Sequence, residues 1–341
     1  MKDKIIVIGG YGKIGRSICQ QLVRFYPNKV YAAGRNKRKA EQFSEETANQ
    51  VQPLVYDVHS QVEPEWLSET KIIVMCLDLE STIFVEMCLK AGIYYIDITA
   101  NSDFLKQVME LKNQSLPGTA IVSVGLAPGL TNLLVQQALQ DCSNVKKVDI
   151  SILLGVGEKH GPAAIDWTLV KMVNSFNKRK KIDFNEPVGN RSVYEFPFSD
   201  QYTLRHTLSI PSVTTRLCFD STFITTIAAL IGILKLSRWL KNKKLRNRLV
   251  SLIERLNIGS DQFAIKVDAS SSTSHIERSI NGHNQSNITA KVAASIAHIT
   301  YENNMKSGVY HIEQLFELVE GTKSKLTIKM KEDQSMYTFK L

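Results

Sequence analysis

The first 125 residues alternate short apolar runs with longer segments of helical periodicity. This alternation predicts repeated strand–helix–strand units. Runs that are apolar throughout, such as "KIIVMCL", are typical of a parallel sheet covered by helices on both faces. We therefore predict a doubly wound α/β domain. Its predicted strands are 4–9, 29–33, 51–56, 71–76, 93–97 and 119–124, and its predicted helices are 13–26, 37–48, 80–91 and 102–113.

The pattern changes after residue 125. Residues 145–155 and 261–271 are longer and partly alternating, which predicts strands with one exposed face. Residues 182–206 are expected to be rich in loops. The other predicted elements are helices at 163–176, 222–234 and 236–256, and a last helix that begins at the N-cap Asn287 and ends near residue 304. We therefore predict a second domain, an α+β unit that begins near residue 126.

The composition is that of an ordinary globular protein. The chain has 341 residues, of which 43% are hydrophobic and 22% charged, which favours two domains. Five scattered cysteines lie in apolar surroundings and without metal-ligand spacing, which predicts reduced thiols, a cytoplasmic location and no metal site. The longest nearly apolar run, 223–234, is too short to cross a bilayer, and the N-terminal run is too short for a secretion signal.

The net charge of +9 is concentrated locally, with seven basic residues in 235–248. Two interpretations stay open. The stretch 235–256 forms either a solvated helix whose leucines face their own core, or a peripheral surface that meets anionic lipid or a partner. No zinc spacing, RNA-binding aromatic signature or basic-zipper heptad accompanies the charge, so nucleic acid is not an expected partner.

Three glycines, Gly10, Gly12 and Gly15, have the spacing G-x-G-x-x-G directly after the first predicted strand. The first permits a tight turn, the second lets backbone approach a pyrophosphate, and the third lets the helix pack closely on the sheet. The free N–H groups of the following helix then face the phosphates. This predicts a Rossmann dinucleotide site, the alternative being a glycine-rich turn in an unrelated α/β fold. The residues assigned to it are Gly9, Gly10, Tyr11, Gly12, Lys13, Ile14 and Gly15.

The end of the second strand favours NADP over NAD, although NAD stays open. An NAD site needs an acidic residue there to bind the ribose hydroxyls, whereas this strand ends in Gly34, Arg35 and Asn36. The Arg35 guanidinium is suited to a 2′-phosphate. The remaining predicted cofactor contacts are Asp57 and Val58 at the adenine, Cys76 and Leu77 at the nicotinamide ribose, and Thr99 at the nicotinamide or substrate.

Several segments together resemble the saccharopine dehydrogenase (saccharopine reductase) family. They are "GGYGKIGR", "AGRNKRKAEQF", "CLKAGIYYIDITAN", "GLAPGLTNLLV", "GVGEKHG" and the stretch from Asn287 to Phe316. The resemblance implies a Rossmann domain followed by an inserted α/β domain, with the C-terminal helices returning to the first domain. We therefore predict an NAD(P)-binding Rossmann domain at 1–125, an α+β substrate and dimerisation domain at 126–285, and a C-terminal segment at 286–341 that packs back on the first domain. The resemblance also implies hydride transfer between a nicotinamide and a C–N bond of an amino-acid or polyamine derivative.

The predicted catalytic residues are Asp97, Lys159 and His160. Asp97 ends the fifth strand, and its alternative role is to cap the helix that starts near Ser102. Lys159 and His160 lie on a glycine-flanked loop, where a histidine with a pKa near neutrality suits proton transfer. The alternative for this loop is an ordinary exposed turn.

The function predicted from the sequence is therefore an NADP-preferring oxidoreductase that acts on a small amino-acid-like substrate and forms a homodimer. Two alternatives stay open. One is a non-catalytic regulator that binds the dinucleotide, and the other is a membrane-surface protein that uses residues 235–256.

Overall fold

The structure is a computed structural model that describes residues 2–60, 62–158, 162–172, 175–176, 178–233, 242–255, 259–319, 325–333 and 335–341. The chain divides into two compact units. Unit 1 comprises Met1–Leu133 and Ser286–Lys340, and unit 2 comprises Leu134–Gln285 together with Leu341. The C-terminal segment is therefore part of the same unit as the N-terminal domain.

The strands and helices are numbered along the chain. The strands are β1 (Lys4–Ile8), β2 (Val30–Gly34), β3 (Val51–Val55), β4 (Thr70–Met75), β5 (Tyr94–Asp97), β6 (Thr119–Val122), β7 (Lys147–Leu154), β8 (Arg179–Asp183), β9 (Asn190–Glu195), β10 (Ser212–Phe219), β11 (Gln262–Ser270), β12 (His275–His283), β13 (Gly308–His311), β14 (Phe316–Val319), β15 (Lys325–Met330) and β16 (Met336–Lys340). The helices are α1 (Lys13–Leu22), α2 (Lys37–Glu46), α3 (Ile83–Lys90), α4 (Ser102–Glu110), α5 (Thr131–Gln140), α6 (Pro162–Met172), α7 (Asp200–Thr207), α8 (Thr222–Ile233), α9 (Lys243–Arg255), α10 (Gln285–Glu302) and α11 (Ile312–Leu315).

Unit 1 is built on a parallel sheet. Over the described residues, seven strands follow the order β13-β6-β5-β4-β1-β2-β3, which contains the Rossmann order 3-2-1-4-5-6. The apolar side chains of β1 are at most 1% exposed from Ile5 to Ile8, as expected for a strand covered on both faces. The prediction of a doubly wound sheet is confirmed. The strand β13, which pairs in parallel with β6, is contributed by the C-terminal segment.

Unit 2 contains a mixed sheet of order β12-β11-β7-β10-β9-β8, in which β7 and β10 are parallel. The prediction of one exposed face is wrong for β7 and β11, because both strands are buried along almost their whole length. Their polar side chains are paired with other charges. Asp149 accepts hydrogen bonds from Arg216 Nη1 at 2.9 Å and Lys180 Nζ at 2.8 Å. Burial opposes ionisation of Asp149, but these bonds outweigh it and lower its pKa to about 2.

Two further predictions need correction. Residues 182–206 are not mainly loop, since they contain the end of β8, all of β9 and most of α7. Asn287 is not an N-cap, because α10 begins two residues earlier at Gln285. Its side-chain oxygen accepts a hydrogen bond from Ser17 Oγ at 3.0 Å, which joins α10 to α1.

The cysteines lie inside the two units. Among the helices of the described ranges, none is both long enough and apolar enough to span a bilayer. The five cysteines are free thiols, of which four are buried and Cys76 is partly buried. Burial raises the pKa of the Cys19 and Cys88 thiols well above the ordinary value, so these thiols stay protonated.

Candidate cofactor-binding site

The turn between β1 and α1 requires glycine at two positions for steric reasons. A Cβ on Gly10 would lie 2.6 Å from the Cα of Ala32, and a Cβ on Gly15 would lie 2.3 Å from the carbonyl oxygen of Gly9. The first glycine therefore lets β1 and β2 approach the turn, and the second lets α1 approach it. Gly9 has a φ of +77°, which also favours glycine. These are the separate glycine roles that a dinucleotide-binding turn needs.

The N-terminus of α1 is open to a ligand. The helix begins at Lys13, and its N-cap residue Gly12 provides no side-chain hydrogen bond. Gly12 and Lys13 are exposed, while Tyr11 and Ile14 are partly buried. Because the first N–H groups of a helix have no acceptor within it and carry the positive end of the dipole, this end is suited to a phosphate.

Tyr11 connects this turn to the end of β2. A Cβ on Gly34 would lie 2.4 Å from the Tyr11 hydroxyl, so the tyrosine ring occupies the space that a larger residue would fill. The Tyr11 hydroxyl accepts a hydrogen bond from the Asn36 N–H at 2.8 Å. The Asn36 side chain in turn caps α2 by accepting from the Lys39 N–H at 3.0 Å. The turn that carries Arg35 is thus held at both ends.

Arg35 is exposed directly after the buried residue Gly34. Within the described parts of the chain, its guanidinium has no ion pair or hydrogen bond. Lys37 lies 3.7 Å from Glu41 in an exposed pair on α2, which leaves Arg35 as the better placed cation for an added phosphate. Its planar group can donate two hydrogen bonds to such a ligand.

The other predicted cofactor residues lie at the carboxyl ends of β3 and β4. Asp57 is exposed, and Val58 is buried. Leu77 is 41% exposed, and its Cδ2 would lie 3.0 Å from a Cβ on Gly9, so it packs over the glycine-rich turn. Burial and the nearby Asp97 raise the pKa of the Cys76 thiol. These strand ends belong to the edge of the sheet where a doubly wound fold binds its ligand.

Asp97 is fully buried at the end of β5. Its Oδ2 accepts a hydrogen bond from the Tyr95 hydroxyl at 2.6 Å, and its Oδ1 accepts one from the Thr99 N–H at 2.7 Å. Burial raises its pKa to about 7, an effect that these two bonds oppose and that the neighbouring Asp78 strengthens. The cap of α4 is Asn101, whose side chain accepts from the N–H groups of the first turn.

The sequence reasoning missed Asp78, which joins this group. Thr99 Oγ1 donates a hydrogen bond to Asp78 Oδ1 at 2.9 Å. Asp78 lies just after Leu77, so its position after a buried strand was the available signal. The hydrogen bonds connect the ends of β4 and β5, and the side chains of Asp97, Thr99 and Asp78 therefore form one polar group at the sheet edge.

A buried polar network supports the "GLAPGLTN" corner that follows β6. The Ser123 hydroxyl and His311 Nδ1 are 2.8 Å apart, and Asn132 Nδ2 donates to Glu313 Oε2 at 2.9 Å. All four side chains are at most 4% exposed. Gly129 has a φ of +135°, a conformation that glycine adopts readily. These contacts join the corner to the C-terminal segment. The turn residues of the sequence indicate a corner but do not indicate this long-range contact.

In unit 2, the loop after β7 packs backbone to backbone on the loop before β11. A Cβ on Gly155 would lie 2.2 Å from the Ser260 carbonyl oxygen. Asp220 holds both loops, because its carboxylate accepts hydrogen bonds from the Val156 N–H at 3.1 Å and from the Ser260 N–H. Glu158 is buried at the end of the described loop. The predicted catalytic residues Lys159 and His160 lie outside the described residues.

One group among the described residues brings metal-ligand atoms close together, formed by Asp268, His275 and Glu277. The Lys266 ammonium lies 2.9 Å from Glu277 Oε2 and 3.9 Å from Asp268 Oδ1. This cation already neutralises the carboxylates, so the group is explained by ion pairing on the sheet of unit 2.

Residues 5–122 match the family model described as the saccharopine dehydrogenase NADP binding domain. The matched range contains the glycine-rich turn, the end of β2 and Asp97. No curated protein matches the sequence.

Among solved structures, the chain is similar to apo saccharopine dehydrogenase (L-Glu forming) from Saccharomyces cerevisiae. The identity is 12%, the match covers 91% of this chain and 94% of that one, and the TM-score is 0.62. A probable dehydrogenase from Thermotoga maritima is 8% identical over 90% of each chain, with a TM-score of 0.50. At these identities the likeness shows a shared fold.

Fold and site together define the class, which is that of the Rossmann-type NAD(P)-dependent oxidoreductases. Within that class, residues 5–122 form a domain of the saccharopine dehydrogenase NADP-binding family. The family resemblance and the NADP cofactor expected from the sequence motifs are therefore confirmed.

Proposed function

We propose that the protein is an NADP-preferring oxidoreductase that acts on a C–N bond of a small amino-acid- or polyamine-derived substrate. The observation that carries the cofactor preference is the end of β2, where residues 34–38, "GRNKR", contain no acidic side chain. Arg35 is exposed there next to a turn fixed by Tyr11 and Asn36. A carboxylate at this place would bind the ribose hydroxyls of NAD, whereas a guanidinium binds a 2′-phosphate.

The proposal of C–N chemistry is supported by the family of the NADP-binding domain. In the direction of reduction, a hydride would pass from the nicotinamide to the carbon of an imine, and a proton would pass to its nitrogen, giving an amine and NADP⁺. The cofactor supplies the hydride when bound. The chain has to supply the site for the cofactor and the group that moves the proton.

Three residues are proposed for proton transfer or for its control, namely Asp97, Lys159 and His160. Asp97 has a pKa of about 7, which suits acid–base work near neutral pH. Its two carboxylate oxygens already accept hydrogen bonds from the Tyr95 hydroxyl and the Thr99 backbone N–H, so a proton would pass between Asp97 and a substrate only after one of these hydrogen bonds opens. His160 is the residue we propose for direct transfer.

Arg35→Ala is expected to weaken NADPH binding by about 10- to 100-fold and to leave NADH binding nearly unchanged. A hydrogen-bonded charge contributes roughly 1.5–3 kcal/mol, and each tenfold change in affinity corresponds to about 1.4 kcal/mol. Calorimetric titration of wild type and variant with both cofactors measures the effect.

The matched control is Arg24→Ala, which removes an exposed arginine just beyond the other end of α1. It is expected to bind NADPH like the wild type. An equal loss of NADPH affinity in both variants would indicate that the affinity depends on the net charge of the protein and not on a contact with Arg35. An Arg35 variant that still prefers NADPH would contradict the proposed 2′-phosphate contact.

Turnover is tested by following oxidation of NADPH in the presence of imines formed from amino acids or polyamines. We expect consumption of NADPH with a subset of these imines and a loss of more than 100-fold in kcat in His160→Gln, because general acid–base groups contribute roughly 10²–10⁴-fold. Tight NADPH binding without turnover of any imine would instead favour a dinucleotide-binding regulator.

We also propose that the protein is cytoplasmic and homodimeric. The free cysteines support a reducing compartment. Light scattering of the full chain tests the oligomeric state, and a monomer at micromolar concentration would contradict it.

A further inference from the structure

The Tyr11 side chain occupies the space next to the last residue of β2, which is Gly34. A Cβ at position 34 would lie 2.4 Å from the Tyr11 hydroxyl oxygen, 2.6 Å from its Cζ and 2.7 Å from its Cε1. All three distances are shorter than van der Waals contact. Any side chain at position 34 would therefore have to displace the Tyr11 ring.

The Tyr11 ring is held in this place by the turn that follows β2. Its hydroxyl oxygen accepts a hydrogen bond from the Asn36 N–H at 2.8 Å, and the side chain is partly buried. Displacing the ring would break this hydrogen bond and release the turn that carries Arg35. An acidic residue at position 34 and the tyrosine at position 11 would thus compete for one place at the end of β2.

The Tyr11 hydroxyl also retains a proton that it can donate. A phenol hydroxyl can accept and donate at the same time, and the Asn36 N–H uses only its acceptor capacity. Over the described residues, the Tyr11 O–H donates no hydrogen bond to the protein. Its proton is therefore available to a ligand at the turn of Arg35. A 2′-phosphate is a suitable acceptor, because its charged oxygens accept strong hydrogen bonds.

We propose that Tyr11 determines the preference of this site for NADP in two ways. Its hydroxyl donates a hydrogen bond to the 2′-phosphate, and its ring keeps a carboxylate away from position 34, at the strand end where NAD binding needs one. The inference rests on the NADP preference proposed above and adds a second residue to Arg35. Because Tyr11 lies between Gly10 and Gly12, one turn would hold the pyrophosphate and also select the ribose.

The donor role is tested with Tyr11→Phe, which removes the hydroxyl and keeps the ring. We expect NADPH binding to weaken by about tenfold, because a hydrogen bond to a charged group is lost. NADH binding should weaken less, because its ribose hydroxyl is uncharged. Calorimetric titration measures both affinities. The matched control is Tyr310→Phe, whose hydroxyl donates to the Ser307 carbonyl oxygen at 3.1 Å on the strand at the far edge of the same sheet, and it should bind NADPH like the wild type.

The same substitution in an Arg35→Ala background separates a direct contact from an indirect effect. If Tyr11 binds the phosphate itself, Tyr11→Phe should weaken NADPH binding by a similar factor in both backgrounds. If the hydroxyl only holds the Arg35 turn, the substitution will have no effect once Arg35 is removed, and the donor role will be wrong. An Arg35→Ala variant that keeps the wild-type preference would contradict the contact of Arg35 alone, because the effect of Tyr11→Phe is measured within each background.

The exclusion role is tested by combining Gly34→Asp with Tyr11→Ala. Gly34→Asp alone should weaken NADPH binding and add little NADH affinity, because the Tyr11 ring occupies the place of the new carboxylate. In the double variant this place is open, so NADH should bind at least about tenfold more tightly than it binds to either single variant. Equal NADH affinity of the double variant and Gly34→Asp would overturn the exclusion role.

A smaller substitution tests the same place with less risk to the fold. Gly34→Ala adds only the Cβ, which should displace the Tyr11 hydroxyl and weaken NADPH binding about as much as Tyr11→Phe does, without adding NADH affinity. Unchanged NADPH affinity in Gly34→Ala would show that the ring does not hold this place. Urea unfolding of each variant distinguishes a loss of stability from a loss of cofactor contact.

Discussion

Gly15→Ala is expected to weaken NADPH binding by more than about 100-fold and to lower the free energy of unfolding by about 1–3 kcal/mol. The added Cβ would lie 2.3 Å from the Gly9 carbonyl oxygen and 2.8 Å from the Gly10 Cα. Both neighbours are backbone, so no side chain can turn aside, and α1 must move away from the turn. The N–H groups at the start of α1 would then no longer point at the pyrophosphate. Calorimetric titration measures the affinity, and urea unfolding measures the stability.

Gly189→Ala is the control for a general effect of replacing a glycine. Gly189 has a φ of +68°, and a Cβ there would meet no atom within 4 Å. Strain should cost about 1 kcal/mol, and NADPH binding should be unchanged. If Gly15→Ala bound NADPH normally, the glycine-rich turn would not be the phosphate site.

The fold of unit 1 could be predicted because short stretches of its sequence are sufficient to indicate most of its strands and helices. Each strand is continuously apolar and each helix follows its own periodicity, so short windows indicate the elements, and βαβ connections restrict the topology. The seventh strand, β13, was not predicted, because its partner β6 precedes it by more than 180 residues. Only long-range pairing places this four-residue segment in the sheet.

Unit 2 was harder to predict for a related reason. Its central strand β7 pairs with β10 and β11, and both partners are distant in sequence. Charged residues such as Asp149, Lys266 and Asp268 gave β7 and β11 an alternating pattern, which is typical of strands with one face exposed to solvent. In the structure they lie within a network of ion pairs, and burial of paired charges cannot be deduced from periodicity.

The candidate site shows the same division. The glycine positions and Arg35 follow from sterics and charge at fixed spacings, which a sequence displays. Asp78 acts through its hydrogen bond to Thr99, and a lone aspartate after a strand does not indicate which group it contacts. The high pKa of Asp97 likewise depends on complete burial, which the sequence does not show.

Asp97→Asn is expected to change how stability depends on pH. The carboxyl has an ordinary pKa of 3.8 in the unfolded chain and about 7 in the folded protein, chiefly because burial disfavours the charged form. Between these values the folded state holds more protons, so the free energy of unfolding falls as pH rises. The shift of about three units corresponds to roughly 4 kcal/mol. The variant lacks this titration, so its stability relative to wild type should rise between pH 4 and pH 8, as urea unfolding across this range would measure.

Asp103→Asn provides the matched control, because Asp103 is exposed in the first turn of α4. Its removal should leave the pH dependence of stability close to that of the wild type. A parallel pH profile for wild type and Asp97→Asn would mean that the Asp97 carboxyl is already ionised in the folded protein at low pH. In that case it could not exchange a proton near neutrality, and the proposed acid–base role would pass to the residues of the loop after β7. If the profiles diverge as expected, the same titration should appear in the pH dependence of kcat, because one buried carboxyl would govern both.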